Sequence, residues 1–357
     1  MGKSMSQTTK EFGVFLPIAN GGWIISTTTP TLDASYRQNR EAAVLADALG
    51  LDFIMSMAKW RGFGGDTDHW GTSLESVTMM AAIAEATSHA RIIATLHAGL
   101  HNPAVTAKMI ATLDQISGGR AGLNIVSGSF KGEFTQMGEW DASLSHDQRY
   151  AMTEEWTRMI KRLWSEPRVT EKGEFFNLDD CISEPKPVCT PRPYLVCAGQ
   201  SDRGLGFSVR HTDACFIGGK DDAETREISL RAKSMAANQG TTIKTFCMST
   251  IICAPTDEEA HALADHYRSG LDVGAVRGML NSFGIDTEGK GNAMVERASN
   301  AFMTHTAIGS PDTCRRLLSQ LLRECELDGV MLIFPDYASG LKVFGEQILP
   351  QLRAEFS

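Results

Sequence analysis

Ile116-Ser-Gly-Gly-Arg-Ala-Gly-Leu-Asn-Ile-Val-Ser-Gly-Ser-Phe-Lys-Gly-Glu133 is the stretch that decides the fold. It reads as a helix end at Ile116-Ser-Gly-Gly-Arg120, a strand over Ala121-Gly-Leu-Asn-Ile-Val126, and a polar exit through Ser127-Gly-Ser-Phe-Lys-Gly-Glu133. A strand this apolar is buried on both faces, as in a parallel sheet covered by helices. The amide of Asn124 and the glycine-flanked loop at the strand's carboxyl end are costly in such a core, and a bound ligand explains them best. A hydrogen-bonded core amide is the plainer alternative for Asn124.

The same strand-then-helix unit recurs on both sides. Upstream, residues 12–16 form an apolar strand closed by Pro17, and a helix capped by Asp33 runs to Leu49 with Gly50 as its stop. Residues 52–57 make the second strand, followed by a long glycine-rich loop and a helix over 73–88; the third strand spans 92–96, and its helix ends at Ser117. Downstream come a helix over 146–164 and a hairpin-like Glu174-Phe-Phe-Asn-Leu178. Strands at 194–198, 213–217, 243–253 and 329–334 alternate with helices opening at Ser201, Asp221, Thr256 and Ser310, and a helix over 341–352 closes the chain. Eight apolar strands, each followed by a helix, predict an α/β fold of the (β/α)8 TIM-barrel type in one domain, in preference to an open doubly wound sheet. Insertions at 128–145, 165–192 and 268–308 read as loops decorating the barrel, and residues 1–10 as a disordered leader.

The chain has 357 residues, 42% hydrophobic and 22% charged, which suits an ordinary globular core. A net charge of -9 without a cluster of Lys and Arg argues against nucleic-acid binding and leaves small molecules as the expected partners. The 8 cysteines are scattered singly with no Cys-x-x-Cys pair, as expected of free thiols in the cytoplasm. No apolar run is long enough to cross a membrane as a helix.

In a (β/α)8 barrel the site gathers at the carboxyl ends of the strands. That filter retains Ser56 and Lys59 after strand two, Thr95, His97 and His101 at or after strand three, and Asn124 and Ser127 at strand four. It also retains Gln200, Ser201, Asp202 and Arg203 after strand five, with Arg149 and Tyr150 at the start of a helix. Ser201 is either a phosphate-binding helix start or a plain N-cap, and spacing alone leaves both open. His97 and His101 fall on a strand end and a loop without a completing carboxylate, so no metal site is expected. Gly204-Leu-Gly206 lacks the third glycine and the acidic residue of a dinucleotide fingerprint, and no nucleophile elbow occurs. A cofactor is therefore left to supply the chemistry. Trp23, Trp60, Trp70 and Phe63 would make an aromatic wall for a flat ligand, or simply pack under the loops.

With Ile116-Ser-Gly-Gly-Arg120, Asn124-Ile-Val-Ser-Gly128, Ser201-Asp-Arg-Gly204 and Phe344-Gly-Glu-Gln-Ile-Leu-Pro350 in order, the chain resembles the bacterial luciferase-like, flavin-dependent monooxygenases. Gly22-Trp-Ile-Ile-Ser-Thr27, Ser56-Met-Ala-Lys-Trp-Arg-Gly-Phe-Gly-Gly65, Leu74-Glu-Ser76 and Val196-Cys-Ala-Gly-Gln-Ser-Asp202 bring it nearest to the RutA-type pyrimidine monooxygenases. The resemblance implies a (β/α)8 enzyme that takes reduced FMN from a separate NAD(P)H:flavin reductase, reacts it with O2, and opens a uracil-type ring at a C–N bond. It implies FMN contacts at Ala58, Lys59, Asn124, Glu133, Arg149, Tyr150 and Ser201, and an oxygen pocket bordered by the catalytic pair Thr95 and Asn124. Substrate contacts are expected at Trp23, Phe63 and Ser129, the last standing where the relatives usually carry Trp; a larger or differently shaped substrate is the expected consequence. A homo-oligomer is expected too. The alternatives are a sulfone or sulfonate monooxygenase of the dimethyl sulfone type, suggested by Ser127-Gly-Ser-Phe-Lys-Gly-Glu-Phe134, and a flavin-binding protein without turnover.

Overall fold

The computed structural model describes residues 9–128, 130–283 and 300–357. Eight parallel strands close into a ring: β1 (Glu11–Phe15), β2 (Phe53–Met55), β3 (Arg91–His97), β4 (Ala121–Val126), β7 (Tyr194–Cys197), β8 (Ala214–Ile217), β9 (Lys244–Cys253) and β11 (Gly329–Ile333). β11 pairs with both β9 and β1, and β8 pairs with β9, which completes the barrel. These eight are the strands expected from the sequence. Their side chains are almost wholly buried, as a sheet covered on both faces requires.

The 165–192 insertion holds the hairpin its sequence suggests, and the 268–308 insertion holds more regular structure than expected. β5 (Val169–Lys172) and β6 (Asn177–Cys181) form an antiparallel hairpin outside the barrel. The 268–308 stretch, expected to be irregular, carries a helix at Val273–Ser282 and a strand, β10 (His305–Gly309). β9 explains the extra strand. It is longer than its neighbours, so its first half pairs with β8 while its second half pairs with β10 on that same edge, opposite β11.

The helix starts follow side-chain capping. Asp33 does not cap the first helix, Tyr36–Ala48. Ser35 does, accepting from the Gln38 amide, while Asp33 accepts from the Ser35 amide one step earlier. Ser145 with Gln148, and Thr256 with Glu259, form reciprocal capping boxes at His146–Ser165 and Asp257–Ser269.

The Ser-Gly-Gly-Arg turn has a mechanical role. Gly118 and Gly119 take φ of 65° and 90°, which ends the helix Pro103–Ser117 without the penalty a side chain would incur. Arg120 then donates to the carbonyls of Ala84, Thr87, Ala90 and Ser117 at 2.7–3.0 Å. One guanidinium thus caps the helix Ser76–Ala86 and ties it to the start of β4. Parallel register then sets Thr95 beside Asn124, and Asn124 beside Val196.

Candidate active site

Paired residues on neighbouring parallel strands project to the same side, so register alone brings Thr95 and Asn124 together. Asn124 Nδ2 donates to Thr95 Oγ1 at 3.1 Å, and Thr95 Oγ1 donates to the Ser56 carbonyl. That chain fixes the amide's orientation: the threonine proton is committed to Ser56, so the hydroxyl can only accept from Asn124. Asn124 Oδ1 is consequently left buried with no partner among the described residues. Ser76, at the first turn of its helix, accepts from the Thr95 amide at 2.8 Å and lies 2.7 Å from Ser56 Oγ. Sequence reasoning misses Ser76 because nothing in its spacing distinguishes it from an ordinary helix start.

A second group forms where β7 meets the helix Asp202–His211. Ser201 caps that helix, accepting from the Gly204 amide at 3.1 Å, so the remaining first-turn amides face outward. Tyr150 packs beneath. Burial pushes its phenol up, with Cys197 adding to the effect, while the Ser127 and Ser201 hydroxyls pull it back. A β-carbon on Gly204 would stand 2.7 Å from the Tyr150 hydroxyl, and one on Gly199 closer still, so glycine at both positions keeps this corner open. Arg149 lies alongside on the helix His146–Ser165, its guanidinium 5.1 Å from the Trp140 ring and bonded to the Leu144 carbonyl.

Lys59 and Glu133 form a third group, an ion pair at 3.2 Å in which both side chains are buried. The ammonium sits over Phe130 at 4.2 Å, Phe63 at 4.4 Å and Trp70 at 5.6 Å. Burial pushes Lys59 down and Glu133 opposes it. Ala58 is half-buried in the same loop. Phe63 packs against Trp70 and Phe283 with centroids 5.0 and 6.2 Å apart. Trp60 is exposed instead of joining this wall. Ser129 lies outside the described residues.

Two enclosed imidazoles flank the ion pair. Burial pushes His69 down to about 4, with Asp272 opposing and Lys59 assisting, and pushes His97 down to about 3, with Lys59 and His101 assisting. Both nitrogens of His69 and Nδ1 of His97 lack a partner among the described residues, while His101 Nδ1 lies 3.1 Å from the His97 carbonyl. The sign of the pH effect follows. Folded values below the ordinary ~6.5 mean that the unfolded chain binds protons first as pH falls, so stability declines from about pH 6.5 and levels off only near the folded values. The urea midpoint should fall by a measurable step between about pH 7 and about pH 5, where carboxylates remain ionised, and His97→Met should flatten part of that slope. A midpoint constant over this interval would contradict neutral buried imidazoles.

Of these residues Asn124, Trp70 and Phe283 line a cavity of about 550 Å³ at the carboxyl ends of the barrel strands; Ala198 and Gln200 carry its lining to the edge of the Ser201 corner, and the Lys59–Glu133 pair lies behind Trp70, outside the lining. Trp23 and Trp70 line it with Asn124, Gln200 and a series of methionines. Trp23 stacks on Phe15 at 4.1 Å, and Trp70 Nε1 is tied to the Gly22 carbonyl. The methionines escape sequence reasoning because an apolar residue at a strand end has the same pattern as core. The arrangement can bind a flat ligand, offer it one carboxamide edge, and take an anion at the Ser201 corner.

The profile of the luciferase-like monooxygenase family matches residues 9–327. The pyrimidine monooxygenase RutA of Variovorax paradoxus is 34% identical over 350 residues, covering 96% of this chain and 94% of that protein. Among solved structures, riboflavin lyase RcaE, determined with modified FMN and riboflavin, superposes with a TM-score of 0.86 at 20% identity, covering 97% of this chain and 92% of its own. The long-chain alkane monooxygenase LadA superposes with a TM-score of 0.85 at 18% identity, covering 99% and 92%. At these identities the two structures speak for the fold.

Proposed function

The chain belongs to the luciferase-like monooxygenase family, and from that premise we propose that it is the oxygenase of a two-component system, using reduced FMN and O2 to open a cyclic amide of the uracil type at a C–N bond. The carrying observation is Asn124 Oδ1, a buried acceptor without a partner among the described residues, in the floor of an apolar cavity. An unmet polar atom in such a place calls for a ligand that supplies an N–H.

The residues present suit FMN. Ser201 and the free amides of its helix would hold the phosphate, with Tyr150 and Arg149 beside them, and the glycines at 199 and 204 leave the room that a side chain would take. Ala58, Lys59 and Glu133 would shape the far wall, with Lys59 and Glu133 acting as a fixed pair. Bound in its reduced form, the flavin supplies the two electrons that activate oxygen. The protein's part is positional. Thr95 holds the Asn124 carboxamide, whose second N–H is not used on Thr95 and would stabilise negative charge as it develops on oxygen. Trp23, Trp70 and the methionines exclude water. Among the described residues no ionised side chain lines the cavity, which argues against an anionic sulfonate as substrate.

Incubating the protein with a flavin reductase, NADH, FMN and uracil-type rings under isotopically labelled O2 tests the reading. A ring-opened product carrying one labelled atom supports it. NADH consumption that yields only hydrogen peroxide from every such ring overturns it. The phosphate corner has its own test: Ser201→Asp keeps a good N-cap but sets a like charge against the phosphate, and FMN affinity should fall roughly ten-fold or more by fluorescence titration. Unchanged affinity would move the phosphate elsewhere.

A further inference from the structure

The cavity is more apolar than an unsubstituted pyrimidine needs. Met331 stands on β11, the strand opposite β4 in the closed ring of eight, and Met248 on the adjoining β9. Met279 and Phe283 come from the helix Val273–Ser282 and its end, and Met303 from the segment entering β10. Met331 and Met248 thus face the cavity from the side opposite Asn124, while Met279 and Phe283 close it from above the β2 loop, where Phe283 packs on Phe63 at 6.2 Å.

Thr304, the polar side chain of this wall, is already engaged, and Gln200 at the Ser201 side has only its amide N–H groups left to offer. Thr304 Oγ1 lies 2.8 Å from the Thr250 hydroxyl and 2.9 Å from the His305 carbonyl, and Gln200 spends its side-chain carbonyl on the Gly218 amide at 3.1 Å. A bare pyrimidine carries donors and acceptors around its whole ring, and this wall answers few of them, so burying it there leaves polar atoms unmet. Thioethers favour a different guest: they are flexible, polarisable, and adapt to hydrocarbon and aromatic edges.

Resting on the proposed flavin reading, we infer that the substrate is a neutral cyclic amide or N-heteroaromatic ring bearing a hydrocarbon portion, a fused ring or an alkyl or aryl substituent. Its amide edge meets Asn124, and its hydrocarbon portion lies against Met279, Phe283 and Met303. The helix Val273–Ser282 thereby acts as a specificity element. Its position is fixed at both ends of its contact with the β2 loop. Asp272 caps it through the Ala275 amide at 2.9 Å and accepts from Thr67 of that loop, and a β-carbon on Gly278 would collide with the Phe63 carbonyl.

Calorimetric titration of the FMN-loaded protein with uracil, 5-phenyluracil and 2-quinolinone tests the inference. The hydrocarbon-bearing probes should bind roughly ten-fold tighter than uracil. Met279→Gln and Met303→Gln should each narrow that gap several-fold. Uracil binding as tightly as both larger probes, or a gap untouched by both variants, overturns the inference while leaving the flavin reading in place. Failure to load FMN at all defeats the flavin reading itself, and this inference with it.

Discussion

Asn124→Ala is expected to lower single-turnover product formation about a hundred-fold or more, the scale of removing one preorganised donor from a reacting oxygen, while the barrel stays folded. The size of the effect follows from how the carboxamide is held. The hydroxyl of Thr95 has one proton, already given to the Ser56 carbonyl, so the amide has a single allowed orientation and no reorganisation is needed when charge develops. Thr95→Val should approach the same loss by freeing the amide to rotate, whereas Thr95→Ser, which keeps the hydroxyl, should retain most turnover. Mixing each variant with reduced FMN, substrate and oxygen, and quantifying product against hydrogen peroxide, distinguishes lost chemistry from lost binding. Full turnover in Asn124→Ala would remove the residue from the mechanism.

Glu133→Ala is expected to be the most damaging change to stability, at about 3–5 kcal/mol, because it strands the Lys59 ammonium in a buried aromatic cage. Three ring faces within 6 Å give the cation some compensation, yet such contacts contribute only about 0.5–2 kcal/mol each. Glu133 also accepts from the Trp60 amide at 2.8 Å, so that donor loses its partner as well. Replacing both partners, as Lys59→Met with Glu133→Leu, should recover much of the deficit, since apolar groups suit the cage once the charge is gone. Urea unfolding reads both variants. A Glu133→Ala loss below about 1 kcal/mol would mean that water reaches the ammonium in solution.

The barrel is legible in the sequence because each strand is a short apolar run closed by a turn and followed by a helix with its own cap. Thr95 and Asn124 are legible for a related reason: a polar residue inside such a run is costly, and register then places the two side by side. Ser201 can be placed at a helix start but not given a role, because a phosphate site and an N-cap require the same residue. Asp33 fails as a cap because Ser35 lies nearer the helix and presents its oxygen in better position. β9 is legible at its full length, whereas its partner β10 is hidden because the 268–308 stretch lacks periodicity, and pairing beyond the barrel depends on a strand distant in sequence. The thioether wall is invisible for a deeper reason. Methionine in a cavity and methionine in a core satisfy the same burial pattern, and only the fold shows which of them face open space.

The proposed chemistry requires the barrel mouth to be a flavin site, and anaerobic equilibrium dialysis of the purified chain against reduced FMN tests that requirement most directly. One flavin retained per chain is the expected result, with oxidised FMN held more weakly or equally. A chain that retains no FMN in either oxidation state would contradict it.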